Sequence, residues 1–404
     1  MPFSIMFDPE FASTRESALT TLKDFIPRTG KYSRDRNHVI PGHGNVSRLS
    51  PAIRHRLLTE WEVAQAPLSR YAASTLEKFT QEIYWRNYWK SWLSLRPQVW
   101  EDYEESITKP DEDAQAIMAG EGPIGVMNLF ARELRRTGYL HNHARMWFAG
   151  YWIHIARLPW QWGARFFEQE LLDFDPAPNT LSWRWVAGLH TPGKTYLPRR
   201  ANIEKYLDPQ LLAQAGPSGL ELLESPEAQL PEHSGKPPIT RQDLVSDAIP
   251  ETAGLWIHEE DLSIAQSELA NFSPQATLVT YDGERLEKIG ASPNRIRWLK
   301  SATQDIASRR NVSHSHRLNL GEWARDNHLK DLVTFRPEIG PLHSQLPILR
   351  EDLKKAGVTL HLIIRKEDAV LRPFAKAGFF PFWMKLQKRL KSGEFPPTQK
   401  LCQS

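Results

Sequence analysis

Cysteine is almost missing from this chain. The single one, Cys402, stands near the C-terminal end, and one thiol can build neither a disulfide framework nor a cysteine zinc site or iron–sulfur cluster. Long apolar runs are missing too, since nothing approaches the roughly 18 consecutive apolar residues that a membrane helix needs. The start, Met1-Pro-Phe-Ser-Ile-Met-Phe-Asp8, lacks the charged and apolar pattern of a secretory signal. The expectation is a soluble, cytoplasmic monomer with no membrane contact and no metal. Neither sign of charge dominates: 51 Lys and Arg face 48 Asp and Glu, a net of +3. So weak a whole-chain field does not mark a nucleic-acid binder, and any basic surface must be local.

What is present is unevenly spread. A chain of 404 residues usually makes two or three domains, and eleven of its 15 tryptophans lie before residue 210. Residues 50–206 read as helices. Thr59-Glu-Trp-Glu62 has the spacing of a capping box, in which the hydroxyl and the carboxylate satisfy free backbone donors. Apolar residues recur at helical spacing from Leu76 to Trp92, with Pro97 closing that region. A further helix is expected from Val126 to Arg136, stopped by Thr137-Gly138, and another from His141 to Arg157. Prolines 217, 226, 231, 237, 238 and 250 then mark a linker or irregular connection. Beyond it, Ala253–Ile257, Ala276–Thr280, Asp331–Phe335 and Val358–Ile364 are short apolar strands separated by helical segments, which implies a small parallel sheet. The expected division is a helical domain over 1–207, a Pro-rich linker over 208–250, an α/β domain over 251–390 and a tail over 391–404.

Residues 139–206 combine tryptophans, carboxylates and amides at spacings an ordinary core does not need. The run holds Tyr139-Leu-His-Asn-His-Ala-Arg-Met146, Trp160-Gln-Trp-Gly163, Leu171-Leu-Asp-Phe-Asp175 and Asn179-Thr-Leu-Ser-Trp-Arg-Trp185. That order resembles the FAD-binding half of DNA photolyases and cryptochromes. The second half is similar to the family's antenna domain at Gly254–Leu262, Leu342–His361 and Gly378-Phe-Phe-Pro-Phe-Trp383. In most members that domain comes first, so the resemblance implies a circular permutation: an all-helical FAD-binding domain followed by a smaller Rossmann-like parallel α/β domain. The absence of a cysteine set removes the family's iron–sulfur branch.

The resemblance also implies a site. Ser47, Arg48, Leu49 and Ser50 match a diphosphate-binding segment, with Val46 in place of the family's threonine, and Tyr32, Phe79 and Asn142 join them as cofactor contacts. Arg145 and Asp173 match an ion pair beside the flavin ring, Asp175 the second aspartate of that loop, and Asn179 the amide that faces the flavin. Trp183 and Trp160 match the two inner tryptophans of an electron path. The outer one has no counterpart in register, and Trp100 or Tyr103 is the nearest substitute. Glu82, Trp85, Arg86, Asn142, Met146 and Trp185 match residues that meet a pyrimidine dimer turned out of DNA. Asn142 and Met146 stand where enzymes acting on (6-4) lesions carry histidines, which favours the cyclobutane dimer; His141 and His143 are expected to be structural. The implied activity is light-driven electron donation from reduced FAD to a cyclobutane dimer in UV-damaged DNA, followed by return of the electron. Asn179, Trp183, Trp160 and Glu82 are its catalytic residues, and a second antenna chromophore is possible. The alternative within the family is a blue-light photoreceptor without repair.

One motif competes. Gly188-Leu-His-Thr-Pro-Gly-Lys-Thr195 fits the P-loop expression of a nucleotide-binding protein, but Ser182-Trp-Arg-Trp-Val186 before it is not a continuous aliphatic strand and Pro198 follows three residues after Thr195, which leaves this a remote alternative. Lys194, Arg199 and Arg200 are alternatively phosphate contacts for DNA.

Overall fold

The computed structural model describes residues 11–396 except 192, 233, 234, 236, 241–244 and 266. Cys402 and most of the expected tail lie outside the described residues.

The first half is helical. Helix α1 (Arg15–Thr29) starts at a Thr14 capping box. A second box forms at Thr59, whose hydroxyl accepts from the Glu62 amide while the Glu62 carboxylate accepts from the Thr59 amide. Helix α2 (Ala73–Ser94) is the long one and carries Phe79, Glu82, Trp85 and Arg86 on successive turns. Helix α3 (Gly125–Thr137) ends at Gly138 with φ 71°, a left-handed conformation that glycine adopts without strain. The helix expected from His141 to Arg157 is divided: α4 (Asn142–Gly150) widens into a π-helical turn over Tyr151–Ile155. Helices α5 (Trp160–Glu170) and α6 (Pro176–Val186) follow.

The Pro-rich stretch after residue 208 is laid against the body of the protein. The Arg96 guanidinium donates to the Pro237 carbonyl (3.0 Å), the Thr240 amide to the Leu95 carbonyl (3.1 Å) and the Leu362 amide to the Asp247 carboxylate (2.8 Å).

The second half is a five-stranded parallel sheet of β1 (Gly254–His258), β2 (Thr277–Thr280), β3 (Ser313–Ser315), β4 (Asp331–Phe335) and β5 (Thr359–Ile363), in the order β3-β2-β1-β4-β5. Central strand β1 sets Leu255 beside Thr277 on one side and beside Val333 on the other. All five of its residues are buried, as expected when both faces of a sheet are covered. Helices α7 (Pro293–Arg310) and α8 (Pro341–Lys355) supply part of that cover. The last helix, α9 (Phe379–Ser392), returns to pack on α2. One apolar core runs through both halves, from Phe167 and Trp183 to Ile257 and Trp298.

The P-loop alternative lacks its frame in the structure. Gly188–Thr195 follows α6 rather than a strand, and the next helix opens only at Arg200. The Thr195 hydroxyl is taken up by the Val186 carbonyl and by His154 (2.7 Å). Without a strand–loop–helix frame, the pattern does not form a phosphate cradle. Among the described residues, no helix is long and apolar enough to cross a membrane, and no group of three or more His, Cys, Asp or Glu is placed to hold a metal.

Candidate cofactor and substrate cavity

A cavity of about 890 Å³ opens between α2, the 46–50 loop, α4, the 171–175 loop, α6 and the start of α9. That volume lies in the upper part of the range for cofactor sites. Tyr32, Ser47, Arg48, Ser50 and Phe79 lie on its wall, as do Arg145, Asp173, Asp175, Asn179 and Trp183. Residues scattered over 150 positions of sequence thus share one hollow.

The polar wall is built around two buried aspartates. Asp173 accepts from the Arg145 guanidinium at 2.9 Å. Burial alone would raise its carboxyl, but Arg145 overrides this and holds it below the usual carboxylate range. Asp175 has three cations: Arg86 at 2.7 Å, Lys90 at 3.6 Å and Arg54 at 3.7 Å. Burial opposes ionisation there too, and Lys90, Arg54 and Arg86 together keep the group charged. Asn179 donates its Nδ2 to the Ala164 carbonyl at 2.9 Å, which fixes the amide and leaves Oδ1 as its other polar atom. Arg48 sits at φ 56°, an uncommon conformation for a residue with a side chain and one often found at functional sites.

The helix after Ser50 is short, covering only Ser50–Arg54, and has Pro51 in its first turn. It therefore offers fewer amide donors than a longer helix start would. The anion-binding capacity on this wall comes from the side chains of Ser47, Arg48 and Ser50. Leu49 does not join them: it is fully buried in the core, and its amide is turned toward Ser47 Oγ (3.3 Å). Apolar walls, one anion-binding segment, a fixed amide and a neutralised ion pair form a donor set that suits a group with a flat ring and a diphosphate.

Two residues expected to be purely structural also lie on the cavity wall. His141 caps α4 through its ring, accepting from the His143 amide. Burial, with His43, His143 and Arg145 nearby, pushes its pKa down to about 3, so it stays neutral. His143 stacks on Trp147 at 4.2 Å and bonds the Asn37 carbonyl at 2.8 Å. Both carry structural bonds, yet both face the same hollow. Tyr139, Arg36, Trp89, His190, Tyr196 and Phe379 line it as well, none of them given a cofactor or substrate role by the sequence reading.

The cavity mouth holds Glu82, Trp85, Arg86, Asn142, Met146 and Trp185. Asn142 and Met146 are one helical turn apart, the amide nitrogen 4.0 Å from the sulfur. The Trp85 indole stacks on Phe379 with ring centres 3.6 Å apart and planes 9° apart, and Trp89 lies 5.7 Å away. Glu82 is held by Arg36 at 3.0 Å and Lys78 at 3.1 Å. Arg86, on the same wall, donates to Asp175. Arg200 pairs with Glu204 and Glu224 at the exposed surface.

The aromatic path divides. Trp183 is buried on the cavity wall, 5.1 Å from Phe167 and 6.4 Å from Trp152. Gly163 lets it approach α5, since a Cβ there would collide with the indole. Trp160 lies outside the cavity wall and stacks on Tyr103 at 5.3 Å, with Trp100 a further 5.4 Å along. That stack leads into the interior, because Trp100 is 2% exposed and bonds Ser344.

Open α/β sheets take ligands beyond the carboxyl ends of their strands, where the strand order reverses. Here that point lies between β1 and β4, and the chain's own residues occupy it. Arg54 bonds Glu260 (3.0 Å), His55 the Glu259 carbonyl (2.6 Å), and Arg56 both Asp261 and Asp368 (2.8 Å each). Arg365 closes on Asp261 at 2.6 Å. The cavities left beside this network hold about 20 and 30 Å³, room for little more than a water molecule. These residues do not fit an antenna pigment at the strand ends.

Residues 79–210 match the family model for the FAD binding domain of DNA photolyase. A deoxyribodipyrimidine photo-lyase of Agrobacterium fabrum is 31% identical over 181 residues, covering 42% of this chain and 37% of that protein. A cryptochrome DASH of Idiomarina loihiensis is 26% identical over 210 residues, covering 48% and 46%. A solved Synechocystis cryptochrome aligns with 50% of this chain and 46% of its own, at 18% identity and a TM-score of 0.44. The matched part of the chain spans less than half the length of these relatives.

Proposed function

We propose that this chain, whose helical half is related to the FAD-binding domain of DNA photolyase, holds FAD in the large cavity and uses light to split cyclobutane pyrimidine dimers in DNA. We read its domain order as a circular permutation of the family's. Bound and reduced, FAD would supply the light-excited electron that opens the cyclobutane ring. The protein's part is positional. Ser47, Arg48 and Ser50 would hold the diphosphate; Arg145 and Asp173 would flank the ring as a pair whose burial is offset by their own attraction; and Asn179 would present a fixed amide without a formal charge. Trp85, Met146 and Trp185 would receive a dimer turned out of the helix, with Asn142 beside them. The observation that carries this reading is that one cavity gathers the ion pair, the amide and these mouth residues.

A second reading, a photoreceptor that binds FAD without repair, is favoured by one observation: Glu82 and Trp85 already have partners in Arg36, Lys78 and Phe379. Illumination of a dimer-containing oligonucleotide separates the two. Flavin released by denaturation, together with blue-light restoration of the pyrimidines, is the expected result. Flavin without light-dependent restoration favours the receptor, and a colourless protein rejects both.

A further inference from the structure

Helix α9 carries a feature the cavity does not use. Its inner face, Phe379, Phe382, Trp383 and Leu386, is buried. Its outer face begins at the cavity rim with Phe380 at 68% and Met384 at 69% exposure. Lys388 and Lys391 continue the same stripe at helical spacing, and Lys385 stands beside it, all exposed. No acid occurs within Phe379–Ser392. Glu77 of α2 is the neighbouring carboxylate, and it is bonded to Trp383 and Gln387. Cations in the last turn suit any helix terminus, which accounts for Arg389 and Lys391. It does not account for two large apolar side chains presented to solvent at the lip of a cavity.

We infer that α9 is the duplex-engaging element: Phe380 wedges into the stack where the dimer has left it, and Lys385, Lys388 and Lys391 track the adjacent phosphates. This rests on the DNA reading above and deepens it, because a wedge matters only when a partner strand must be kept from re-pairing. A single strand offers no such gap. The rim position places Phe380 beside Phe379, with ring centres 5.9 Å apart, and thus beside the Trp85 platform.

The test compares binding of one dimer-containing oligonucleotide, single-stranded and duplex, by the flavin-loaded protein. Phe380→Ala is expected to weaken duplex binding about tenfold and leave single-strand binding unchanged. Lys388→Ala with Lys391→Ala is expected to flatten the salt dependence of duplex binding by about two counterions. Both sites are exposed, so melting temperature should match wild type, and binding is compared per flavin-loaded molecule. Equal losses on both substrates, or none on either, overturn the wedge. Wild-type protein with full flavin that binds neither oligonucleotide overturns the DNA reading itself.

Discussion

Asp175 shows how much a single side chain can hold. It is buried against Arg54, Arg86 and Lys90, and removing one partner of a buried charge set leaves the others uncompensated. Asp175→Asn is therefore expected to destabilise the fold by about 3–5 kcal/mol in urea titrations at pH 7. The sign with pH follows from its lowered carboxyl. Its contribution is complete above the ordinary carboxylate range and fades as pH falls through the folded value. The variant should accordingly lose part of the wild type's acid sensitivity. Much of the site was legible at this scale because the motif residues are constrained by one ligand-sized space. What was not legible were partners from distant segments: nothing in Trp85 announces Phe379, and nothing in His143 announces Asn37. The Asp175 partner of Arg86 and the burial of Leu49 were hidden for a related reason, since a motif fixes position along a helix but not which neighbour captures a side chain.

At the scale of elements, helix ends were the most readable feature. Thr59 with Glu62 and Thr137 with Gly138 are local devices whose geometry depends on a few adjacent residues. Strand β3, Ser-His-Ser, was invisible because a short polar edge strand shows neither apolar alternation nor β-branching. The π-helical widening after Gly150 was equally hidden; Gly150 itself lies close against Tyr196 and Pro198, a contact no local pattern announces. The contact between α5 and α6 yields a sharper expectation. Alanine in a helix interior ordinarily improves on glycine by about 1 kcal/mol, yet at Gly163 a methyl group meets the Trp183 indole. Gly163→Ala should thus reverse sign and destabilise by about 1–3 kcal/mol. Chemical denaturation reads the loss, and tryptophan fluorescence reads the displaced ring.

At the scale of the whole molecule, the parallel sheet was legible from alternating strands and helices, but its docking was not. The carboxyl ends of β1 and β5 meet the 54–56 loop through a network of buried charges, and no local pattern links residue 56 to residue 368. One member of this region resists ionisation. Burial raises the Glu259 carboxyl to about 8, with Asp282 and Glu260 adding to the effect. A raised folded value means that its contribution is complete below the ordinary carboxylate range and is lost as pH rises toward about 8. Glu259→Gln, which cannot ionise, is expected to narrow the difference in melting temperature between pH 5 and pH 8. An unchanged difference would show that this carboxylate already ionises freely in the native state.

The stacking of Phe379 on Trp85 has a consequence for the order of events at birth. Synthesis delivers the tryptophan nearly three hundred residues before the ring that covers it. Arg54 likewise emerges long before Asp175 and Glu260, and Arg56 long before Asp261 and Asp368. A nascent chain can wind its first helices early, but the hollow between them stays one wall short until the segment around Phe379 has been made. Loading of any pigment into a finished pocket has to wait for that segment.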